Sequence, residues 1–318
     1  MMKRFPSWLT ILAVLFSLFQ FAHAYPVTIA HQQGTLELNG QPSKVVVFDL
    51  ATLDSLDALG VEVTAVAKGV WPEYLQKYDG EQYPKVGTLF EPDYEAVQAL
   101  QPDLIIIAGR SRGAYQKLSH IAPTIDLSID PAQFVEDVKH NLDLLGQIFN
   151  RSDKAKQLIT TLDSEVAALQ AKGQQQGSGL VLFTVRGNVM LHAPGDRFGM
   201  LYELTGLRSV VEPMAATTTE EARPQPGSPE AKAAAQAREQ RLREAMAKQP
   251  DWLIVLDRGA ATGGEAEAQK TLAENRQIAQ SSAWQQGQVY YLNPTEWYIV
   301  TGGYRSLMKT INQLQQRF

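Results

Sequence analysis

QPDLIIIAGR, from Gln101 to Arg110, and QPDWLIVLDR, from Gln249 to Arg258, are one element written twice in the same chain. Each joins a Pro-Asp step to a run of apolar and β-branched residues, and each ends on an arginine at the same distance from its proline. Such a run, bounded by turn residues, reads as a buried strand. The surroundings repeat as well. A helical pattern closed by Gly60 and followed by a strand in the first half is echoed by one closed by Gly206 in the second. A pair of similar strand-helix units follows from this repetition.

Working outward, KVVVFD (Lys44 to Asp49) and VEVTAVA (Val61 to Ala67) read as strands on either side of a helix from Leu50 to Leu59. Glu91 to Leu100 reads as a helix opened by Pro92, and Pro123 to Leu127 as a last strand. From Pro131 to Lys172 apolar residues keep helical spacing with no further proline, which predicts one long helix with an irregularity near Gly146. At ~1.5 Å per residue it would extend on the order of 60 Å. Alternation then resumes with GLVLFTV (Gly179 to Val185), a helix around Phe198 to Leu204, and SVVEP. The expected fold is α/β: two similar α/β lobes with mainly parallel sheets, at residues 25–130 and 173–318, joined by one backbone helix at 131–172. An Ala/Glu/Gln-rich insertion at 214–249 breaks the repeat, with a Pro/Gly-interrupted loop followed by a charged helix.

Residues 1–24 combine Lys3 and Arg4 with an apolar run from Trp8 to Ala22 and the small-x-small step Ala22-His23-Ala24. That pattern is a secretory signal peptide, and it places the mature protein in a periplasm. The chain has no cysteine, so neither disulfides nor a lipid-modified N-terminal cysteine is expected. Its formal net charge is −5, more negative once Lys3 and Arg4 are removed, which argues against nucleic acid as a partner.

Enzyme motifs are missing: there is no G-x-S-x-G elbow, no phosphate-binding loop and no dinucleotide fingerprint. The histidines do not stand at metal-ligand spacing on a common helix. Arg110 and Arg258, by contrast, each follow a strand, and ligands of parallel sheets collect at the carboxyl ends of strands. Each alone could be a surface residue capping a loop; at matched places in facing lobes they would aim into one cleft. APGDRFGMLYELTGL adds Arg197, NPTEWYIVTGGYRSL adds Trp297, Tyr298 and Tyr304, and VAKGVWPEYL adds Lys68 and Trp71. Together they describe a cleft for a flat, anionic, aromatic ligand.

These segments, with VGTLFEPDYEAVQAL and the two Pro-Asp strands, resemble the periplasmic binding proteins of ferric-siderophore ABC importers, in particular the catecholate branch. The resemblance implies a binding protein rather than an enzyme, a monomer without intrinsic cofactor, and ferric iron carried as its siderophore complex. It assigns an arginine triad to Arg110, Arg197 and Arg258, and a potential iron ligand to Tyr298. It also implies docking to an inner-membrane ABC permease through Glu91 and Glu203. Some members add an iron-binding histidine in the loop of the second lobe, and no histidine follows His192 here. Haem or a corrinoid is the alternative ligand within this fold, and an exported α/β hydrolase or transferase the alternative of another class. The latter would need a nucleophile paired with a base, and no such pair is found.

Overall fold

The computed structural model describes residues 25–213 and 225–318. The expected signal peptide and the first part of the expected insertion lie outside these residues. An antiparallel hairpin, β1 (Val27–His31) and β2 (Gly34–Leu38), precedes the first sheet. That sheet consists of β3 (Val45–Val47), β4 (Ala65–Lys68), β5 (Lys85–Thr88), β6 (Leu104–Ile107) and β7 (Thr124–Asp126), crossed by α1 (Leu50–Leu59), α2 (Tyr94–Leu100) and α3 (Tyr115–Ser119). All its strands are parallel, in the order β5-β4-β3-β6-β7.

Two helices follow, α4 (Phe134–Ile148) and α5 (Ser152–Gln175), and lead into β8 (Ser178–Val185), β9 (Asn188–His192), α6 (Met200–Thr205) and β10 (Arg208–Ser209). After α7 (Pro229–Ala247) come β11 (Trp252–Asp257) and the short helices α8 (Arg258–Ala261), α9 (Ala268–Glu274), α10 (Arg276–Ala279) and α11 (Ser282–Gln285). The chain ends with β12 (Val289–Tyr291), α12 (Pro294–Tyr298) and α13 (Tyr304–Arg317). The second sheet runs β10-β8-β11-β12, all parallel, with β9 antiparallel against β8. Its order repeats that of β4-β3-β6-β7, so the doubled sequence element is a doubled topology.

The repeated Pro-Asp step has its own physical role. The Asp103 carboxylate accepts from Ser43 N at 2.8 Å, Ser43 Oγ at 2.6 Å and Lys44 N at 2.8 Å, pinning the approach to β3 against the start of β6. Asp251 makes the equivalent clamp on Ser178 N and Oγ, both at 2.7 Å, at the start of β8. These hydrogen bonds hold both carboxyls below the usual carboxylate range. In each copy the glutamine before the proline is left-handed, with φ 50° at Gln101 and 52° at Gln249. The preceding repeat is as close: Gly60 and Gly206 both end their helices at φ 72°, where a side chain is disfavoured.

Several expectations are corrected. The long helix is two helices broken at Phe149-Asn150-Arg151, with Asn150 left-handed at φ 53°, and α5 folds back along α4. A Lys139–Asp163 ion pair at 2.8 Å ties the two together. Gly146 is not the break; it is where α4 passes so close to Ala155 that a Cβ would stand 2.6 Å from it. The helix expected from Glu91 starts at Tyr94, because Asp93 accepts from Ala96 N and is the true cap. Glu91 and Pro92 lie in a turn bonded back to Thr88 and Gly87. SVVEP contributes only Ser209 to a strand, VEVTAVA begins its strand at Ala65, and the helix expected around Phe198 starts at Met200.

The apolar core does not divide between the sheets. Val45, Val46, Ile105 and Ile106 share a buried cluster with Val181, Phe183, Trp252 and Ile254. The alternate residues of the second sheet, Leu180, Leu182, Leu253 and Val255, face a smaller cluster under α7 and α9. Helix α13 stitches the halves polar-wise. Its first turn donates from Ser306 N to Asp54 Oδ2 at 3.0 Å and pairs Arg305 with Asp57, both on α1. Its last turn accepts hydrogen bonds from α5, through Lys172 to Gln315 and, just beyond it, Gln176 to Phe318.

Asp54 is fully buried, its Oδ1 has no partner, and burial raises its pKa to about 7 against the opposing pull of Ser306 N and Arg305. Its folded pKa exceeds the unfolded value, so the stability it contributes is fully present below 3.8 and is lost as pH rises through about 7. Asp54→Asn should therefore gain stability relative to the wild type across that interval, read by urea unfolding at several pH values. A constant difference between the two proteins would exclude Asp54 as the titrating group.

Candidate ligand-binding site

Three arginines meet over one phenol. The guanidinium carbons of Arg110, Arg197 and Arg258 lie 5.0, 5.4 and 5.7 Å from the centroid of the Tyr298 ring. Arg258 Nε donates to Tyr298 Oη at 3.1 Å, and Arg110 donates to the Tyr298 carbonyl. Each approach is within the range in which a cation is attracted by an aromatic face. The four side chains come from four separate segments: Arg110 just past β6, Arg197 in the turn after β9, Arg258 at the first residue of α8 after β11, and Tyr298 at the last residue of α12 after β12.

The loops are held by groups that leave the guanidiniums unpaired. Asp196 precedes Arg197, and its carboxylate accepts from Ala193 N, Phe198 N and Gly199 N at 2.8, 3.0 and 2.9 Å and meets His192 Nδ1 at 3.0 Å. Burial works to raise its pKa, but the His192 contact and the backbone donors outweigh it and hold it low. Asp257 precedes Arg258 and is used the same way, accepting from Ala260 N at 3.2 Å and from Glu267 N and Ala268 N at 2.7 Å. At the third loop, Ser111 Oγ accepts from Ala108 N at 3.1 Å and Ser128 Oγ accepts from Gly109 N at 2.8 Å. Among the described residues no carboxylate stands within ion-pairing distance of Arg110, Arg197 or Arg258.

The charges are felt by their neighbours. Burial lowers the Arg197 pKa, although its side chain keeps an exposed face, and the charges of Arg110 and Arg258 lower it further. For Tyr298 burial acts to raise the pKa; the Arg258 hydrogen bond and the three positive charges reverse that, and the phenol sits below its ordinary value. Phe198 stacks on the Tyr298 ring at 6.2 Å and 16°, and Phe183 packs at 6.1 Å. Behind Arg110 and Arg197 opens a cavity of about 390 Å³ whose walls include Asp49, Phe134, Met200 and Ile299. Burial pushes the Asp49 carboxyl up, against the pull of the Thr52 donors and the Arg110 charge.

Of the residues expected from sequence, Arg110, Arg197, Arg258 and Tyr298 are thus brought together. Lys68 ends β4 and is exposed, and Trp71 donates to Asp79 at 3.0 Å; neither lines the cavity. Trp297 and Tyr304 are core residues. Trp297 is 3% exposed with its Nε1 bonded to Thr310 Oγ1 at 2.8 Å, and Tyr304 packs where α13 meets α1. Glu91 is exposed on its turn, beside Phe90. Glu203 keeps an exposed face, but burial and the nearby Glu136 and Asp137 push its pKa up, while the backbone at the start of α4 pulls it down. Sequence reading missed Phe198, Phe183 and the anchoring of Asp196 and Asp257. An aspartate directly before two of the three arginines was the available signal.

A family model for periplasmic binding proteins matches residues 45–296. The petrobactin-binding protein YclQ of Bacillus subtilis is 33% identical, over 91% of this chain and 87% of its own. Its crystal structure aligns with a TM-score of 0.79, covering 91% of this chain and 97% of that one. The ferric-anguibactin-binding protein FatB of Vibrio anguillarum is 26% identical over 91% of this chain and 86% of its own. The crystal structure of the periplasmic catecholate-siderophore binding protein VctP of Vibrio cholerae aligns at 28% identity and a TM-score of 0.78, over 91% of this chain and 99% of that one.

Because three cations favour the phenolate, Tyr298 should be the first tyrosine to ionise on alkaline titration followed by ultraviolet difference absorbance. Tyr298→Phe should delete that earliest component, and Arg258→Ala should move it to higher pH. An unchanged first component in Tyr298→Phe would contradict the electrostatics described.

Proposed function

The chain belongs to the periplasmic binding protein family, and we propose from that premise that it captures a ferric siderophore, most suitably a catecholate, and hands it to an ABC permease of the inner membrane. The observation that carries this reading is the convergence of Arg110, Arg197 and Arg258 on Tyr298 with no carboxylate partner among the described residues. Like charges held this close repel one another, an arriving counter-charge relieves that repulsion, and a ferric tris-catecholate is a trianion with oxygen acceptors all round. Planar, forked guanidiniums suit that surface better than ammonium groups. The stacked faces of Phe198 and Tyr298 supply a flat apolar floor beside them. No covalent step is part of this role. Tyr298, with its depressed pKa, is the side chain best suited to complete the coordination of an unsaturated iron complex.

The relatives support the ligand class by what they are named for: petrobactin, anguibactin and catecholate siderophores. The protein acts, in this reading, as a monomer in the periplasm. With α5 and α13 packed side by side and one core shared by both sheets, capture requires only a small closure. Delivery uses acidic contacts on the two halves, Glu91 and Glu203. Phe90, 67% exposed next to Glu91, adds an apolar contact at one of them.

Quenching of the intrinsic fluorescence of Trp71, Trp252, Trp284 and Trp297 by a panel of ferric siderophores measures capture directly. Arg110→Ala, Arg197→Ala and Arg258→Ala should each weaken binding of a ferric catecholate by about 1.5–3 kcal/mol, roughly ten- to hundredfold in Kd. A triple variant that binds as the wild type does would remove the triad from the site.

For delivery, a variant carrying Glu91→Lys and Glu203→Gln should bind the siderophore normally in solution and fail to support iron uptake in cells. Exposed ion pairs orient an encounter more than they tighten it. Normal uptake by that variant would assign docking to other residues.

A further inference from the structure

A fourth arginine stands beside the triad, at the tip of the β8–β9 hairpin. Val185 of β8 pairs with Asn188 of β9, so the turn consists of Arg186 and Gly187 alone. Their φ values are 50° and 70°. A two-residue hairpin turn with both residues at positive φ is type I′, which favours Asn, Asp or Gly at its first position and strains a long side chain. Arginine is a poor choice for this turn, and a residue kept where the backbone disfavours it is a candidate for use.

Its position says what that use is. Strands β8 and β11 pair in parallel with Thr184 opposite Asp257, so Val185 and Arg258 leave the sheet side by side and Arg186 follows at the same carboxyl edge. Arg186 and Arg258 share an open cavity of about 440 Å³ with Thr262, Glu265 and Glu267. The two glutamates are exposed, and among the described residues neither reaches ion-pairing distance of either arginine. Arg258 therefore faces two ways: its Nε holds the Tyr298 phenol, and its outer side borders this second cavity. The cavity continues the site away from the triad.

We infer that Arg186, with the outer side of Arg258, receives an anionic group, a carboxylate in particular, that the ligand carries beyond its iron-binding oxygens. This rests on the reading of the site as a receptor for anionic ferric chelates. It adds a selectivity among them: chelates bearing a free carboxylate at their periphery are bound better than those that end at the catechol ring.

Two probes and two variants test it. The probes are the ferric complexes of catechol and of 2,3-dihydroxybenzoate, the second carrying free carboxylates at its edge; the variants are Arg186→Asn and Arg258→Ala. The wild type should prefer the dihydroxybenzoate complex. Arg186→Asn should lose about tenfold in affinity for it and little for the catechol complex, erasing the preference, as expected for one charged hydrogen bond. Its salt dependence with the dihydroxybenzoate complex should also become shallower. Because asparagine suits the turn, its thermal midpoint should equal or exceed that of the wild type, so the loss cannot come from misfolding. Arg258→Ala should weaken both complexes. If Arg186→Asn binds both probes as the wild type does while Arg258→Ala binds neither well, this inference fails and the reading of the site stands. If the wild type binds neither probe, both fail.

Discussion

Three guanidiniums share one phenol, and the fold around them is arranged to keep them there without neutralising them. Mutual repulsion would splay such a group, and the usual remedy, a carboxylate beside each cation, would close the site to any anion. The aspartates nearest in sequence are present but engaged elsewhere. Asp196 and Asp257 turn their oxygens onto backbone donors of their own loops. Each thereby fixes the segment that presents the arginine after it and, among the described residues, leaves that positive charge without a carboxylate. A preorganised, unpaired charge of this kind gives an arriving anion hydrogen bonds that need little rearrangement of the protein.

The rest of the molecule makes that arrangement rigid. The segments that carry Arg110, Arg258 and Tyr298 leave the carboxyl ends of strands in two different sheets, so their relative placement depends on how the sheets are joined. One apolar cluster runs through both. The α4–α5 hairpin and α13 lie across the junction, with Gln315 Nε2 bonded to the Glu165 carbonyl at 3.0 Å and Arg305 paired with Asp57 on α1. Asp54 on α1 accepts from Ser306 N of α13 across this junction, while its Oδ1 is buried without a partner, a cost in stability.

Much of the fold was legible because its sequence signals are local. Strands β6 and β11 announce themselves by Pro-Asp followed by an apolar run, and α1 by its termination at Gly60. The helical hairpin was not legible. An amphipathic pattern survives a reversal of direction, and only the left-handed Asn150 marks the turn. In the site, Arg110 and Arg258 were found by the repeat itself, and Arg197 and Tyr298 by the company they keep. Trp297 and Tyr304 misled because an aromatic residue near a cleft motif reads the same whether it faces the cleft or the core. Their neighbours, Thr310 and Ser55, lie far away in sequence for Tyr304 and one helix further on for Trp297. The role of Asp103 and Asp251 as strand clamps was hidden for the same reason: the partner serines, Ser43 just before β3 and Ser178 at the start of β8, lie elsewhere in the chain.

Recognition of a ferric complex by its negative charge is the role proposed for Arg110, Arg197 and Arg258. It is tested most directly by comparing the equilibrium affinity for two iron complexes of similar size and different charge, a trianionic ferric tris-catecholate and a neutral ferric tris-hydroxamate, at the same ionic strength. With three guanidiniums as the source of discrimination, the trianion should bind at least about a hundredfold more tightly, the equivalent of roughly two charged hydrogen bonds. Equal affinities for the two complexes would mean that the three arginines do not select ligands by charge.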